Sequence, residues 1–417
     1  MRLFVVLLLN LTFLVAPTLA IANVWYVDDL NDGITGTGTK DEPFRDLQIA
    51  LNYAFDQDKI VLLPGTYEAR PDSYPEDLCG NCQNHKTYVK ATRGFLVKDK
   101  TLEIVGSGAD RTTLVTKAGY GVLFDHSRGS TIANLTITGG VRDPDGNATD
   151  AAVVAKFSTV TVKNVKISGN THQLEGVVVG IGGVFGRENS ELFIMDNAIE
   201  NNGWDGVALY RGASAYIADN VICEGRGAGI GITWDAVATV YRNQISGYWK
   251  GIGTFGDSRA VVRNNAVYDN LGWGIIATGN SFMEASNNVV TRNGNCGLAP
   301  WSETAHGIFA NNIVTENGWR KEWVCPCVGF WMNGKPGNFV VSHNDVWKNK
   351  EGNYKDMEDL TGKDGNISQD PLFEGRTDFR LMPNSPCINS GDSTFTNSGG
   401  TISDMGMYGG PGARLVK

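Results

Sequence analysis

From Asn197 to Asn312 the apolar residues alternate in short runs, broken by Gly, Asn or Asp, and one unit keeps returning. It reads NAIENNGWDGVAL from 197, NVICEGRGAGIGI from 220 and NQISGYWKGIGTF from 243, then NAVYDNLGWGIIA from 265, NVVTRNGNCGLAP from 288 and NIVTENGWR from 312. The anchoring Asn residues are 23, 23, 22, 23 and 24 residues apart. A period this regular governs how every residue inside it is read. Alternation with turn residues between runs is the strand signature, and no helical face survives in it. Three short strands and three turns per repeat predict one rung of a coil. A single rung cannot bury its own apolar face, but rungs stacked about 4.8 Å apart can, because backbone groups pair up and down the stack.

The recurring Asn has a physical reason. Stacked at one bend, its amide donates to and accepts from the Asn of neighbouring rungs, and it tolerates the left-handed backbone that a tight bend needs. With Ile, Val and Leu ladders beside it, this stretch resembles the pectate-lyase-like superfamily of parallel β-helix proteins. The resemblance is one of fold and spans most of the chain. It implies an all-β, right-handed parallel β-helix of about nine to eleven rungs with a short capping helix at its start. Because one such fold hosts many chemistries, function has to be argued from the site.

In chain order, residues 1–22 are expected to be a signal peptide. Arg2 precedes the apolar run LFVVLLLNLTFLVA, and Ala20-Ile21-Ala22 gives a small-x-small cleavage site. The run is too short to span a membrane comfortably, so the mature chain is expected to be secreted, outside the cell or in the periplasm. Residues 23–65 hold a turn-rich lead-in and then RDLQIALNYAF, which places Leu47, Ala50, Leu51 and Ala54 at helical spacing. That helix would cover the open edge of the first rung, with KIVLLPGTY as the first strand. Residues 66–350 form the coil with inserted loops; Asn134 and Asn164 read as earlier anchors and Asn344 as the last clear one. Residues 351–417 resemble the closing segment common in secreted bacterial β-helix proteins, which implies a cap on the far end with Asp404 and Tyr408 in structural roles.

Composition narrows the partners. A net charge of −9 leaves no general attraction for phosphate, which argues against nucleic acid, whereas an acidic polysaccharide could still be held by a local basic patch. A monomer with a polysaccharide partner is expected. In an exported chain the seven cysteines read first as disulfide partners. Cys296 is placed to bridge to Cys325 or Cys327, and Cys223 is left over. Cys79-x-x-Cys82 with His85 offers three zinc ligands where a structural site wants four.

Alternation also says which side chains face out. After each turn Gly come VALY, IGIT, IGTF, IIAT and LAPW, whose first and third members belong to the core. The outward rows are Ala208, Gly231, Gly253, Ile276 and Ala299, and Tyr210, Thr233, Phe255, Thr278 and Trp301. Small residues beside aromatic ones predict a shallow channel, and aromatic faces suit sugar rings. Trp204, Tyr210, Trp249, Phe255, Trp273 and Trp301 are the candidate substrate contacts. In the superfamily the substrate groove lies along the same sheet, and the long insertions crowd this face too.

Two classes of function fit. The first is a polysaccharide-active enzyme, with β-elimination on a uronate chain named foremost. Lys250 or Arg211 would act as base or carboxylate neutraliser, and Asp235 and Asp257 are candidate calcium ligands. Inverting hydrolysis is its variant, using two of Asp205, Asp235, Asp257 and Glu303. The alternative is a non-catalytic carbohydrate-binding or surface-structural β-helix, in which the aromatic residues stack on sugar and the charges serve turns and solubility. Bland readings stand beside each residue. Asp235, Asp257 and Asn280 occupy equivalent turn positions that favour Asp and Asn anyway. Arg242 and Arg263 can salt-bridge to Asp219 and Glu284, and His306 reads as a surface histidine. The motifs of polygalacturonases, alginate epimerases, pectate lyases and pectin methylesterases are missing from the sequence, so no catalytic residue is carried over from them.

Overall fold

The computed structural model describes residues 22–29, 36–76, 89–145, 149–172, 180–321 and 323–414. The segment expected to be a signal peptide, through residue 21, the Cys79–Cys82–His85 group and parts of three insertions lie outside the described residues. The chain is a parallel β-helix. A representative rung runs through Ala228–Trp234, Val237–Tyr241 and Gln244–Ser246, and the next through Lys250–Gly256, Arg259–Arg263 and Ala266–Tyr268. Strands stack in parallel register, Ile230 on Ile252 and Ile252 on Ile275. The resulting ladders of Ile, Val and Leu are fully buried down the axis of the coil. No helix among the described residues is long and apolar enough to cross a membrane.

The Asn ladder forms and is longer than its sequence signal. The amides of Asn197, Asn220, Asn243, Asn265, Asn288, Asn312, Asn344 and Asn366 are linked in succession at 2.9–3.1 Å. A second ladder, Asn270, Asn293, Asn317 and Asn349, runs at another corner. The left-handed backbone falls on the residue before each ladder Asn, at Asp196, Asp219, Arg242, Asn264, Asn287 and Asn311, and not on the ladder residue itself. Asn134 and Asn164 sit at that left-handed position too, so they are not anchors; Leu135 and Val165 hold the ladder site in their rungs. The strain of a left-handed residue, roughly 1–2 kcal/mol, is offset because the bend it makes lets the next amide satisfy buried backbone groups.

At the start of the coil, Leu47–Tyr53 is helical, N-capped by Asp46, and buries Leu47, Ala50 and Leu51 as the spacing predicts. The first strand lies earlier than expected, however. Val24–Val27, read as lead-in, pairs in parallel with Lys59–Leu62. At the far end, Tyr354–Lys355 and Ile367 continue the coil. The closing segment then turns back along the flank. Phe379, Cys387, Met405 and Met407 pack on Ala266, Val289 and Ile313, while Asn264 and Asn287 bind its backbone carbonyls. Those flank positions are apolar on their outer side, which is what draws the segment there.

Candidate functional site

One 12-stranded sheet carries the outward rows, and all but its first strand run parallel. Three columns of side chains face out from it. The middle column passes from Leu123, Val154 and Phe185 to Ala208, Gly231 and Gly253, then to Ile276 and Ala299. Its shrinkage to glycine on two rungs leaves a window, with the buried Ala208 at its upstream margin. A Cβ added at Gly253 would meet nothing nearer than 3.9 Å, and one at Gly231 nothing nearer than 3.7 Å. The column on the leading side holds Asp205, Ala228, Lys250 and Trp273, and the trailing one Tyr210, Thr233 and Phe255.

Asp205 is the ionisable group most strongly shaped by this window. Its Oδ1 accepts from the Ala228 backbone N at 2.5 Å, and Oδ2 reaches toward the open space over Gly231. Gly227 is required here, because any Cβ would strike that carboxylate at 1.7 Å. Burial pushes the Asp205 carboxyl up to about 6, partly countered by the Ala228 N–H and by the charges of Lys250 and Arg142. Lys250 stands exposed with its Nζ 5.6 Å from the centre of the Trp273 ring. Arg142, buried, lies with its guanidinium 5.6 Å over Trp204, and its Nε has no hydrogen-bond partner. A carboxyl group poised near neutrality thus faces an open apolar floor with two cations alongside.

The expected aromatic contacts divide. Phe255 edges the window and keeps 47% of its surface exposed beside Trp234, whereas Tyr210 is buried, meeting Phe185 edge-on within the upstream apolar cluster. Trp204 lies beneath Arg142. Trp273, Trp301 and Trp331 stack edge-to-face in a file at 5.1 Å, closing the far side of the window. Trp249 is not open to a sugar: Trp323 packs on it at 5.1 Å and the Arg320 guanidinium at 4.5 Å.

Three of the four residues expected to carry catalysis are occupied elsewhere. Arg211 is ion-paired with Glu188, its Nε 2.8 Å from the carboxylate. Asp235 accepts from the Gly212 backbone N at 2.7 Å, and Asp257 from Asn280 at 2.8 Å. These are links between stacked turns, the bland reading given above for Asp235 and Asp257. Among the described residues there is no group of three or more His, Cys, Asp or Glu that could hold a metal ion. Glu303 is exposed in the turn that follows Leu298–Pro300, and His306, also exposed, opens the strand His306–Ala310. Arg242 pairs with Asp219 and Arg263 with Glu284. Only Lys250 remains beside the window.

Sequence reasoning named Asp205 only as a variant and missed Arg142, which arrives on a loop from earlier rungs with no local signal. Also missed was a buried ion network upstream. Arg187, fully buried, pairs with Glu76 at 2.9 Å and donates to the Tyr120 hydroxyl at 3.1 Å, while Lys156 reaches the same Glu76 at 3.0 Å. Cys296 and Cys325 do meet, the Cys296 N–H donating to the Cys325 Sγ at 3.3 Å, and both are free thiols; Cys223 is free and half-buried. A separate cavity of about 320 Å³ beside the capping helix is lined by Arg45, Glu68 and Lys117 among others. There Arg45 pairs with Asp28 and Lys117 with Glu68.

This is the architecture of a right-handed parallel β-helix protein with a recessed window on one sheet. The chain belongs to the family described as right handed beta helix region, which matches residues 109–247 and 248–355. Among solved structures it is similar to a lacto-N-biosidase from Eubacterium ramulus, at 13% identity and a TM-score of 0.51 over 83% of this chain and 68% of that one. It is also similar to a pectate lyase, at 14% identity and a TM-score of 0.48 over 93% and 96% of the two chains. A third is the A-module of a mannuronan C-5 epimerase from Azotobacter vinelandii, at 13% identity and a TM-score of 0.46 over 82% and 97%. No curated protein matches the sequence. Likeness at this level speaks to fold alone.

Proposed function

We propose that this is a secreted enzyme acting on a uronate-containing carbohydrate, with Asp205 as the group that moves the proton. The observation that carries the reading is the window itself: an open Gly231–Gly253 floor with Asp205 facing it and Lys250 and Arg142 beside the carboxylate. A sugar ring resting on that floor would meet Phe255 along one edge. Its carboxylate would be drawn to the Lys250 and Arg142 side, which acidifies the C5 proton. Ionised Asp205 then takes that proton, the C4–O bond breaks, a C4–C5 double bond forms, and the departing oxygen takes up a proton. Asp205, once protonated, is placed to supply it.

Elimination is favoured over hydrolysis because hydrolysis wants a second carboxyl across the bond. Asp235 and Asp257 are tied into turns, and Glu303 belongs to the rung of Ala299, two rungs from Gly253. Incubation with a panel of uronate polymers and oligomers tests this: absorbance from unsaturated products supports elimination. Reducing ends without that absorbance mean hydrolysis. Neither product, with glycan binding retained, would favour the non-catalytic binder, for which the Trp273–Trp301–Trp331 file is the supporting observation.

A further inference from the structure

Resting on the reading above, we infer that the window takes the end of a chain, or a short oligosaccharide, and excludes the middle of a long polymer. The outward face of the sheet is covered on both sides of the window along the coil axis. Upstream, the strand Asp72–Glu76 folds antiparallel on Val89–Arg93, and this arm lies over the rungs of Tyr120, Ala151 and Gly182. Tyr74 meets the Tyr120 ring at 6.0 Å, and Val89 and Ala91 join Leu123, Val154, Phe185, Ala208 and Tyr210 in one apolar cluster. Glu76, 1% exposed, pins the arm through Lys156 and Arg187. Breaking such a buried pair is costly, so the arm is a fixed wall.

Downstream, Cys325 and Val328 pack over Ile276, Cys296 and Ala299, and Trp331 closes on Trp301. On the leading side Arg142 stands over Trp204, and Arg320 with Trp323 over Trp249. Ala208, 1% exposed, already lies in the cluster beneath the arm, and only the two rungs of Gly231 and Gly253 stay low. At about 4.8 Å per rung that is a floor of roughly 10 Å, which accommodates about two sugar rings and no more. A polymer laid along the coil would have to pass beneath a pinned arm and a tryptophan file.

The test uses the full chain and a uronate polymer that it turns over, together with the same polymer shortened in steps. Product size and solution viscosity are followed from the first time point. The expected result is release of the smallest products from the outset, slow loss of viscosity, and a rate per unit mass that rises with the number of chain ends. Products of all sizes with an early collapse of viscosity overturn this inference while leaving the proposed activity standing. Binding gives a second arm: the affinity of the Asp205→Asn variant for oligomers of increasing length should stop rising once the window is filled. An affinity that keeps climbing with length overturns the inference, and neither product nor binding with any uronate overturns both readings together.

Discussion

Replacing Asp205 by Asn should cost activity and raise stability, and the two effects have separate pH signatures. The Asn Oδ1 can keep accepting from Ala228, so the fold loses no hydrogen bond. What it loses is a charge that burial disfavours. A carboxyl group held at about 6 instead of 3.8 costs the folded protein about 3 kcal/mol to ionise if the whole difference is counted. Asp205 is only partly buried, and solvent screening brings the expected value down to about 1–2 kcal/mol. The sign follows from the direction of the shift. The folded state holds this proton more tightly than the unfolded one, so the stabilisation is complete below 3.8 and is lost as pH rises through about 6. Urea unfolding of parent and variant at pH 8 and at pH 4 reads it directly. The variant should be the more stable at pH 8 and nearly equal at pH 4. Turnover should fall by about a hundredfold or more. A variant less stable than its parent at pH 8, or a difference that does not change with pH, would refute the electrostatic account of the window.

Gly253→Val should fill the window without disturbing the sheet, since the added carbons enter open space on a strand; the melting temperature should stay within a few degrees while uronate turnover is lost. Asn243→Ala removes an amide that donates to Ile217 O and Asn265 and accepts from Asn220, and should destabilise by about 2–4 kcal/mol in urea unfolding. Glu76→Ala leaves Lys156 and Arg187 buried without their partner and should cost about 3–5 kcal/mol, measured in the same way. Lys250→Met, which keeps the stem over Trp273, should weaken binding of uronate oligomers while leaving neutral oligomers unaffected, and calorimetric titration of both separates the two.

Several tertiary contacts were open to reading once the period was known. Glu188 and Arg211 are 23 residues apart, as are Asp219 and Arg242, and Asp269 and Arg292. Residues one period apart in a stacked coil are vertical neighbours, so opposite charges at that spacing are ion pairs before they are catalysts. Arg211 could have been set aside on that ground. Asp235 stands one rung before Asp257, and Asp257 one rung before Asn280, which likewise marks a column of turn residues. Arg142 and Glu76 carried no such signal. They belong to insertions, where the repeat that makes neighbours predictable is interrupted.

What the sequence determined alone is whatever the repeat enforces: the coil, its core ladders, the Asn column, the outward rows and the capping helix. Each follows because strand alternation and a fixed rung length leave a side chain one direction to point and one neighbour to stand on. Tertiary structure alone decided which part of the outward face is open. That depends on where the inserted arm and the Cys325–Val328 segment come to rest, and on what buried charges hold them there. It also decided which carboxyl group matters. Asp205 differs from Asp235 and Asp257 only in its surroundings, and a burial-shifted proton affinity is a property of the assembled neighbours, not of the residue.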